Sequence, residues 1–329
     1  MNDPDMPTLD LTIEKLVTGG RGLGRHEGQA VFVPLTAPGD RVRAKAAPSK
    51  KSFREAELEA ILEPGPGRRE APCPHFGDCG GCDLQHLDEA AQQEARREIL
   101  IDCFQRLGGL DVGEILECAE GAASLGYRNR LRLSAHPTGQ YGLKRRGTHD
   151  VVLLEQCPVM GEPFAETILP WLRMLPPVDQ IVVRLDGRGG WLLSLYGQPQ
   201  RQKVLKKMLA GTPEDGAPAP GLQGLLLNNR PMWGRSYLVY HVAGHKYRVS
   251  NQSFFQGNLA AAEDAVTTVR SWLDADHPGG GDLADLYGGV GLFTLTLADR
   301  FDRVLLVDSD PAAVLDAREN IRREAEVRR

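Results

Sequence analysis

The chain has 329 residues, which favours two or three domains and provides ample apolar material for their cores. Its 39 lysines and arginines are outnumbered by 44 aspartates and glutamates, so the formal net charge is −5 and no global basic field indicates a nucleic-acid partner. No apolar stretch is long enough to span a membrane, and residues 1–10 are polar and acidic, which predicts no signal peptide. We therefore expect a cytoplasmic protein whose six cysteines form no disulfides.

Short strands separated by glycine turns are predicted over the first 62 residues, and even spacing of this kind favours a small five-stranded barrel. The strands are expected near residues 9–13, 30–33, 41–43 and 56–62, with a turn at residues 19–25. Residues 63–72 alternate proline, glycine and charge, and are predicted to be a linker.

Three cysteines crowd into the next segment, Cys73-Pro-His-Phe-Gly-Asp-Cys79-Gly-Gly-Cys82, and Cys157 follows far along the chain. The glycines let the backbone turn sharply and bring amide N–H groups close to sulfur. Four thiolates suit either tetrahedral zinc or an iron–sulfur cluster. Structural zinc generally uses two Cys-x2-Cys pairs, so the grouping of three plus one favours the cluster, with zinc and free thiols as alternatives.

Two histidines are possible ligands of such a site, and two further cysteines lie outside the loop. His75 and His86 could serve in a zinc site, but a loop residue and a satisfied polar group are the simpler interpretations. Cys103 and Cys118 lie in apolar stretches and are predicted to be small buried side chains.

Between this loop and residue 273, the pattern predicts two helices around a largely β region. Asp88 is expected to cap a helix over residues 89–107, and glycines end it. Residues 124–250 indicate a mixed, mostly β region, and a second helix is predicted over residues 259–273. Arginines alternate along a predicted strand in this region, so they share one face that could follow RNA phosphates or simply be solvated. These arginines and the basic run after them are Arg128, Arg130, Arg132, Lys144, Arg145 and Arg146.

The last fifty residues predict a β-α-β-α unit, the opening half of a doubly wound sheet. Strands are expected at residues 283–287 and 304–307, both apolar enough for burial on two faces, with helices from residue 292 and residue 311. A glycine turn follows the first strand, and Asp308 lies about twenty residues further on, where an acid can bond ribose hydroxyls. Thr294 stands where a dinucleotide site has its third glycine, and Asp285 precedes the turn, so the segment is similar to the first motif of S-adenosylmethionine-dependent methyltransferases. A plain strand–helix turn is the alternative.

These motifs together identify a family. The chain resembles the RNA uracil-5-methyltransferases that carry a TRAM domain and a [4Fe-4S] cluster, most of all the bacterial 23S ribosomal RNA branch. The matching segments, which span the whole chain, are Cys73-x5-Cys79-Gly-Gly-Cys82-Asp-Leu-Gln-His86, Tyr127-Arg-Asn-Arg-Leu131, Gln156-Cys157-Pro158, Asn251-Gln-Ser-Phe-Phe-Gln-Gly-Asn258 and Asp285-Leu-Tyr-Gly-Gly-Val-Gly-Leu-Phe293. The transfer-RNA branch typically lacks the TRAM domain and the cluster, so ribosomal RNA is the predicted substrate.

The resemblance implies specific site residues. The cluster ligands would be Cys73, Cys79, Cys82 and Cys157. The contacts to S-adenosylmethionine would be Gln256, Tyr287 and Asp308, with Asp285, Gly289 and Gly291 in the turn. The barrel would add Arg21 and Arg25 to the RNA contacts, and either Phe254 or Phe255 could stack on a flipped base while the other belongs to the core.

The resemblance also implies a multidomain fold that combines α+β and α/β parts. Residues 1–65 would form an OB-like TRAM barrel, and residues 66–250 an iron–sulfur and central mixed β region that binds RNA. Residues 251–329 would be the N-terminal part of a Rossmann-like methyltransferase domain, left incomplete. We expect a monomer.

In the family, a cysteine thiolate adds to carbon 6 of uracil, and a carboxylate later removes the proton from carbon 5. Both groups lie beyond the second acidic strand in relatives, so the resemblance predicts that the nucleophile and base fall beyond residue 329 and that the chain is C-terminally truncated. The alternatives are a catalytically inactive iron–sulfur RNA-binding remnant and an iron–sulfur electron carrier.

Overall fold

The structure is a computed structural model that describes residues 6–48, 52–116, 123–198, 203, 205–206, 209, 217–277 and 279–327. The chain divides into two compact units, the first comprising Met1–Gly121 with Lys144–His149 and the second Ala122–Leu143 with Asp150–Arg329. The segment boundaries predicted at residues 65 and 250 remain predictions about domain organisation. Among the described residues, no helix combines the length and the apolar character needed to cross a membrane.

A closed five-stranded barrel opens the first unit, as the sequence predicts, with the strand order β1-β2-β3-β5-β4. Its strands are β1 (Thr8–Val17), β2 (Arg21–His26), β3 (Gln29–Pro34), β4 (Arg41–Ala46) and β5 (Phe53–Glu63). Alternate side chains point inward, among them Leu11, Ile13, Val31 and Val33, and form an apolar barrel core.

A buried ion pair fixes the chain where it leaves the barrel. The carboxylate of Asp40 is fully buried and accepts hydrogen bonds from the backbone N–H groups of Ala37 (2.6 Å) and Gly65 (2.8 Å). Arg68 donates to the same carboxylate from Nη2 at 2.7 Å. The linker that leads to the cysteine loop is therefore anchored to the barrel rather than loose.

The helix predicted after the cysteine loop is present as α1 (Glu89–Gly108). The Asp88 side chain accepts from the N–H of Ala91 at the N-terminus, and Gly109 ends the helix with φ 65°. Ala95 packs with Leu16 and Leu87, and Lys15 pairs with Asp102 at 2.9 Å. These contacts attach the helix to the barrel.

The second unit contains a seven-stranded sheet with the order β12-β11-β10-β9-β6-β7-β8. Its strands are β6 (Arg130–Ala135), β7 (Tyr141–Lys144), β8 (Val151–Leu153), β9 (Gln180–Leu185), β10 (Trp191–Tyr196), β11 (Leu222–Leu227) and β12 (Arg230–Gly234). A π-helical turn (Phe164–Ile168) and α2 (Leu169–Leu172) cover one face. The core there centres on Trp191, whose ring meets that of Trp171 edge-on with centroids 5.6 Å apart.

The rest of this unit contains the predicted β-α-β-α arrangement. A hairpin of β13 (Tyr237–Val242) and β14 (His245–Ser250) comes first, followed by α3 (Leu259–Asp276). The remaining elements are β15 (Asp282–Leu286), α4 (Leu292–Leu297), a 3-10 turn (Ala298–Arg300), β16 (Arg303–Val307) and α5 (Pro311–Val327). The strands β15 and β16 pair in parallel, with Leu286 opposite Val307.

The two strands β15 and β16 expose apolar side chains. Both runs are apolar enough for burial on two faces, but Leu286 is 62% exposed and Leu305 is 61% exposed. Within the described residues, β15 and β16 pair only with each other, and α5 packs against β14. Apolar side chains of the pair therefore face solvent, because an apolar run supplies the surface for a core but not the partner that covers it.

Candidate functional site

An extended segment, residues 251–258, forms one wall of the candidate site. Burial alternates along it: Asn251, Ser253 and Phe255 are buried, whereas the side chains between them are exposed. The ring of Phe255 stacks on Tyr240 with centroids 4.9 Å apart, and Phe254 is 63% exposed. The prediction that one phenylalanine belongs to the core is confirmed, and the structure assigns that role to Phe255.

A cavity of about 170 Å³ opens beside this segment. Gln256 and Asn258 line it from the segment, Ala262 from α3, and Leu292 and Phe293 from the first turn of α4. The small alanine side chain leaves room where α3 begins. The cavity therefore lies between the segment that carries Gln256 and the end of the glycine turn, and both polar and apolar side chains line it.

The glycine turn itself adopts a strained conformation. Tyr287 has φ 60°, a left-handed conformation that is costly for a bulky residue, and its side chain is 89% exposed. Gly289 and Gly291 also have positive φ, at 56° and 94°. The turn follows the carboxyl end of a parallel strand, where the ligand site of a doubly wound sheet is expected.

Two aspartates brace the turn. Asp285 is buried and accepts from Thr294, from its N–H at 2.9 Å and from its Oγ1 at 2.6 Å. Asp308 accepts from the N–H of Gly289 at 2.8 Å through Oδ2, and from the N–H of Asp310 at 2.8 Å through Oδ1. Thr294, which replaces the third glycine of a dinucleotide motif, therefore holds the first acid in place. Each Asp308 oxygen can still accept a second hydrogen bond.

The predicted basic strand is hydrogen-bonded to the wall segment. Asn129 donates from Nδ2 to the carbonyl of Gln256 at 2.8 Å and from its backbone N–H to the carbonyl of Gly257 at 3.0 Å. Beyond Asn129, Arg130 and Arg132 are exposed on one face of β6 while the leucines between and after them are buried. Arg130 and Arg132 therefore share a solvent face on a strand attached directly to the cavity wall. Arg128, the third arginine of the predicted set, precedes the strand and is half-buried.

The other predicted RNA contacts are placed differently. Arg21 lies over the ring of Phe32 at 5.0 Å and 3.9 Å from Glu55, and Arg25 lies 3.7 Å from Glu14. Lys144 is exposed, and the two arginines after it pair with acids of the cysteine segment. Those pairs are Arg145 with Asp78 at 2.5 Å and Arg146 with Asp83 at 2.6 Å. A neighbouring carboxylate offsets part of each positive charge, which weakens its attraction for phosphate.

Backbone hydrogen bonds shape the cysteine loop in the first unit. The N–H of Cys79 donates to the carbonyl of His75 at 2.8 Å, and the N–H of Gly80 donates to the carbonyl of Lys144 at 2.9 Å. Burial raises the pKa of the Cys73 and Cys79 thiols, while the backbone N–H groups of His75 and Gly81 oppose that rise. Amides directed at sulfur in this way would stabilise the thiolate form.

Buried polar atoms without a partner gather around this loop. Among the described residues, eight buried side-chain nitrogen or oxygen atoms lack a hydrogen-bond partner. Five of these eight belong to Arg69, Gln85, His86 and Arg146, which all lie in the first unit beside the loop or directly after it. Such atoms are costly to leave unsatisfied, and either ordered water or a bound group would supply the partners that they need.

The remaining cysteines are placed as follows. Cys157 belongs to the second unit and is half-buried against its apolar core. Cys103 is half-buried, and its Sγ lies 3.6 Å from Oγ1 of Thr18. Cys118 lies outside the described residues. Within the described ranges, no three His, Cys, Asp or Glu side chains are grouped so as to hold one metal ion, so the metal ligands remain a prediction.

His86 gives a pH-dependent prediction. Its Nε2 lies 2.9 Å from the carbonyl of Thr36, its ring stacks on Phe76, and burial lowers its pKa below the ordinary 6.5. Because the folded state disfavours the charged ring, the resulting stability is fully present above pH 6.5 and is lost as the pH falls through the lowered pKa. We expect the thermal midpoint of the wild type to fall more between pH 8 and pH 5 than that of His86→Gln, with equal falls contradicting the prediction.

Comparison with known proteins identifies the family. Residues 7–58 match the TRAM domain, and residues 236–327 match the tRNA (uracil-5-)-methyltransferase family. An uncharacterised RNA methyltransferase of Aquifex aeolicus is 31% identical over 95% of this chain and 74% of its own length. The 23S rRNA (uracil(1939)-C(5))-methyltransferase RlmD of Pectobacterium atrosepticum is 32% identical over 96% of this chain and 72% of its own length. This chain belongs to the RNA uracil-5-methyltransferase family.

A solved structure shows the same fold. The tRNA (uracil-54, C5)-methyltransferase of Pyrococcus abyssi, solved with S-adenosyl-L-homocysteine, matches with a TM-score of 0.66 at 21% identity. The match covers 96% of this chain and 77% of that one. The family resemblance drawn from the cysteine, glycine-turn and Phe-Phe-Gln motifs is therefore confirmed, and so is the N-terminal TRAM barrel.

Several residues that shape the site have no counterpart among the predictions. Asn129 belongs to the Tyr127–Leu131 motif, to which the sequence assigns no role for this residue, and it joins β6 to the wall segment. Asp316 and Asn320 are fully buried on α5, although polar residues in a helix are ordinarily exposed. The one available signal was their spacing of four, which places both on one helix face.

Proposed function

We propose that this chain is part of an enzyme that transfers a methyl group from S-adenosylmethionine to carbon 5 of a uridine in 23S ribosomal RNA. The observation that carries the proposal is the hydrogen-bonded contact of Asn129 with residues 256 and 257. It joins the arginine-bearing strand to the wall of the 170 Å³ cavity. A base delivered along this strand would meet a cofactor held in that cavity.

The chain's own residues would hold and orient the donor. S-adenosylmethionine supplies a methyl group on a positively charged sulfur. Asp308 would accept hydrogen bonds from the ribose hydroxyls through the lone pairs that its two backbone contacts leave unused. Gln256 lines the cavity, and the exposed ring of Tyr287 at the turn offers an apolar face to the adenosine.

No described residue of this chain is proposed as the nucleophile or the base. Among the described cysteines, three lie in the loop of the first unit, Cys103 contacts Thr18 from α1, and Cys157 packs against the apolar core of the second unit. What this chain would contribute to the reaction is binding, orientation and the exclusion of water from the donor.

A [4Fe-4S] cluster is proposed at Cys73, Cys79 and Cys82, with Cys157 as the fourth ligand that the resemblance implies. Three features of the first unit fit such a group: the thiol donors, the backbone amides near Cys73 and Cys79, and the unsatisfied polar atoms nearby. When bound, the cluster would cross-link the loop through thiolate ligands. The amides would donate to sulfur and thereby tune its potential.

The 23S substrate is proposed from the resemblance of the four-cysteine motif to the bacterial 23S branch. The TRAM barrel does not separate the two substrates, because the transfer-RNA enzyme of Pyrococcus abyssi matches 96% of this chain. The relative from Pectobacterium atrosepticum is named for a 23S ribosomal RNA uridine. RNA therefore is the proposed partner.

Methyl transfer tests the proposal directly. The chain is purified without oxygen and incubated with labelled S-adenosylmethionine and unmodified 23S ribosomal RNA, beside a longer form that continues into the downstream sequence. Label at carbon 5 of a uridine from either form supports the proposal, and label from the longer form alone places the nucleophile downstream. RNA binding by both without any label would instead support the inactive iron–sulfur RNA-binding remnant.

The exposed arginines on β6 give a prediction about salt dependence. Within the described residues, no ion pair involves Arg130 or Arg132, in contrast to Arg21, Arg25, Arg145 and Arg146. When both are replaced by glutamine, the plot of log affinity against log salt concentration should become less steep by about 1.4. Each phosphate contact to a single strand contributes roughly 0.7 to the magnitude of this negative slope.

Filter binding to 23S ribosomal RNA fragments over a range of salt measures this slope. The matched control is Arg303→Gln, because Arg303 is equally cationic but pairs with Asp282 at 2.5 Å. A slope unchanged by the double substitution would show that these arginines form only a solvated face.

A further inference from the structure

The helix α5 presents two buried polar side chains that the proposed chemistry does not use. Asp316 and Asn320 are one helical turn apart and fully or almost fully buried. Polar groups at such positions are retained without penalty only when every hydrogen-bonding atom has a partner. Their partners include Ser250 and Ser253, which precede Gln256 in the chain, and Val290, which precedes Leu292, so they lie in the two segments that continue into the lining of the cavity.

Asp316 holds the beginning of the wall segment. Its Oδ2 accepts from the N–H of Ser250 at 2.6 Å and from Oγ of Ser253 at 2.6 Å. Its Oδ1 accepts from Oγ of Ser250 at 2.8 Å and from the guanidinium of Arg248. One carboxylate therefore fixes the turn that immediately precedes Phe254, Phe255 and Gln256 in the chain.

Asn320 connects this side to the glycine turn. Its Oδ1 accepts from the N–H of Arg248 at 2.7 Å, and its Nδ2 donates to the carbonyl of Arg248 at 3.1 Å. The same Nδ2 donates to the carbonyl of Val290 at 3.1 Å. Val290 lies in the glycine turn, directly before the residues of α4 that line the opposite wall.

Arg184 holds the same turn from the sheet. This buried side chain of β9 donates from Nη1 to the carbonyl of Ser250 at 2.8 Å and from Nη2 to the carbonyl of Ser253 at 2.7 Å. The two carbonyls belong to the residues whose hydroxyls Asp316 binds. Arg184 on β9 therefore binds the carbonyl groups of the turn, and Asp316 on α5 binds its hydroxyl groups.

We propose that Arg184, Asp316 and Asn320 are positioning residues that set the spacing between the two walls of the cofactor cavity. The inference rests on the proposed function, because it assumes that the cavity beside Gln256 receives S-adenosylmethionine. It adds three residues that do not line the cavity but determine where Gln256 and the glycine turn stand. A preorganised wall avoids the cost of ordering the segment when the cofactor binds.

A contribution to stability alone does not explain this buried polar network. Replacing a buried polar network with apolar side chains of similar size is often neutral or stabilising, whereas its directional hydrogen bonds fix one geometry. Apart from the hydrogen bonds to Arg248, every side-chain hydrogen bond of Arg184, Asp316 and Asn320 is made to residue 250, 253 or 290. The geometry that these contacts fix is that of the cavity walls.

Two conservative variants test the proposal. Asn320→Asp keeps the acceptor for the N–H of Arg248 but loses the donor to Val290, and Arg184→Lys replaces a fork that reaches two carbonyls by a single ammonium group. For each, we measure the dissociation constant of S-adenosylhomocysteine by calorimetry, the thermal midpoint, and amide hydrogen exchange over residues 250–258 and 288–293. We expect affinity to fall on the order of tenfold and exchange to rise in those two segments.

The matched control is Asp186→Asn at the end of the same strand. Asp186 is buried and accepts from the N–H groups of Arg188 (2.7 Å) and Gly190 (2.9 Å) and from Gln223 (2.9 Å), so its loss disturbs a polar network away from the wall segment. We expect a lowered thermal midpoint with affinity unchanged within twofold, about the scatter expected for independent sites.

The outcomes separate the positioning role from the proposed function. If the wild type binds S-adenosylhomocysteine and both variants bind it equally well, the positioning role is overturned and the proposed function stands. If affinity falls in step with the thermal midpoint in all three variants, including Asp186→Asn, the network is merely structural. If the wild type binds no S-adenosylhomocysteine, the proposed function fails and this inference fails with it.

Discussion

Replacing Cys79 by alanine is expected to abolish the proposed iron–sulfur cluster. Cys79 is the most buried of the three loop cysteines, and its neighbours fix it in place, since Gly80 donates to Lys144 at 2.9 Å and Asp78 pairs with Arg145. A methyl group cannot ligate iron, and a cluster left with three protein ligands exposes one iron to solvent and oxidation. Iron content should fall from roughly four per chain towards zero.

Anaerobic purification, iron and sulfide analysis and visible absorbance measure this effect. Cys103→Ala is the matched control, because Cys103 is also half-buried in the first unit but contacts Thr18 rather than the loop. It should retain the full cluster. Equal iron in both variants would show that Cys79 is not a ligand, and no iron in the wild type would refute the cluster assignment.

Replacing Asp308 by alanine is expected to weaken the binding of S-adenosylhomocysteine by roughly 100-fold. Two hydrogen bonds from ribose hydroxyls to a carboxylate contribute about 1.5 kcal/mol each or more, and 1.4 kcal/mol corresponds to a factor of ten. The alanine also removes the acceptor for the N–H of Gly289, so the turn itself loses one of its supports. The affinity of Asp308→Asn should lie between those of the wild type and Asp308→Ala, since asparagine keeps the shape of the side chain but loses its charge.

Calorimetric titration of S-adenosylhomocysteine measures this affinity. The control is Asp302→Ala, which changes an acid at the opposite end of β16, where Asp302 accepts from the N–H of Gly281 at 2.8 Å. Its affinity should match that of the wild type. If Asp308→Ala binds as tightly as Asp302→Ala, then Asp308 serves only to brace the turn and the ribose assignment is wrong.

Local sequence patterns predicted the barrel, the helices α1 and α3 and the final β-α-β-α unit, but residues 21–25, which were predicted to lie in a turn, belong to strand β2. The barrel followed from alternating strands and glycine turns, and α1 from an aspartate cap and a terminal glycine. These signals act within a few residues, so they survive whatever packs around them. The helix predicted over residues 259–273 runs three residues further, to Asp276, and helix ends are the part that local signals determine least.

The family, too, was determined by the sequence alone. Its evidence was the spacing of cysteines and glycines along the chain, which requires no knowledge of how distant segments meet. The choice of RNA-contacting arginines was less complete. Alternation identified a shared face for Arg130 and Arg132, but it gave no sign that Asp78 and Asp83 would pair with Arg145 and Arg146.

Only the tertiary structure decided how the site is built. Arg184 meets Ser250 and Ser253, and Asn320 meets Val290, across separations that no local pattern encodes. Likewise, the burial of Phe255 rather than Phe254 depends on Tyr240 in another strand. Hydrogen bonding and packing depend on which groups come within a few ångströms, and chain folding, rather than sequence spacing, brings these groups together.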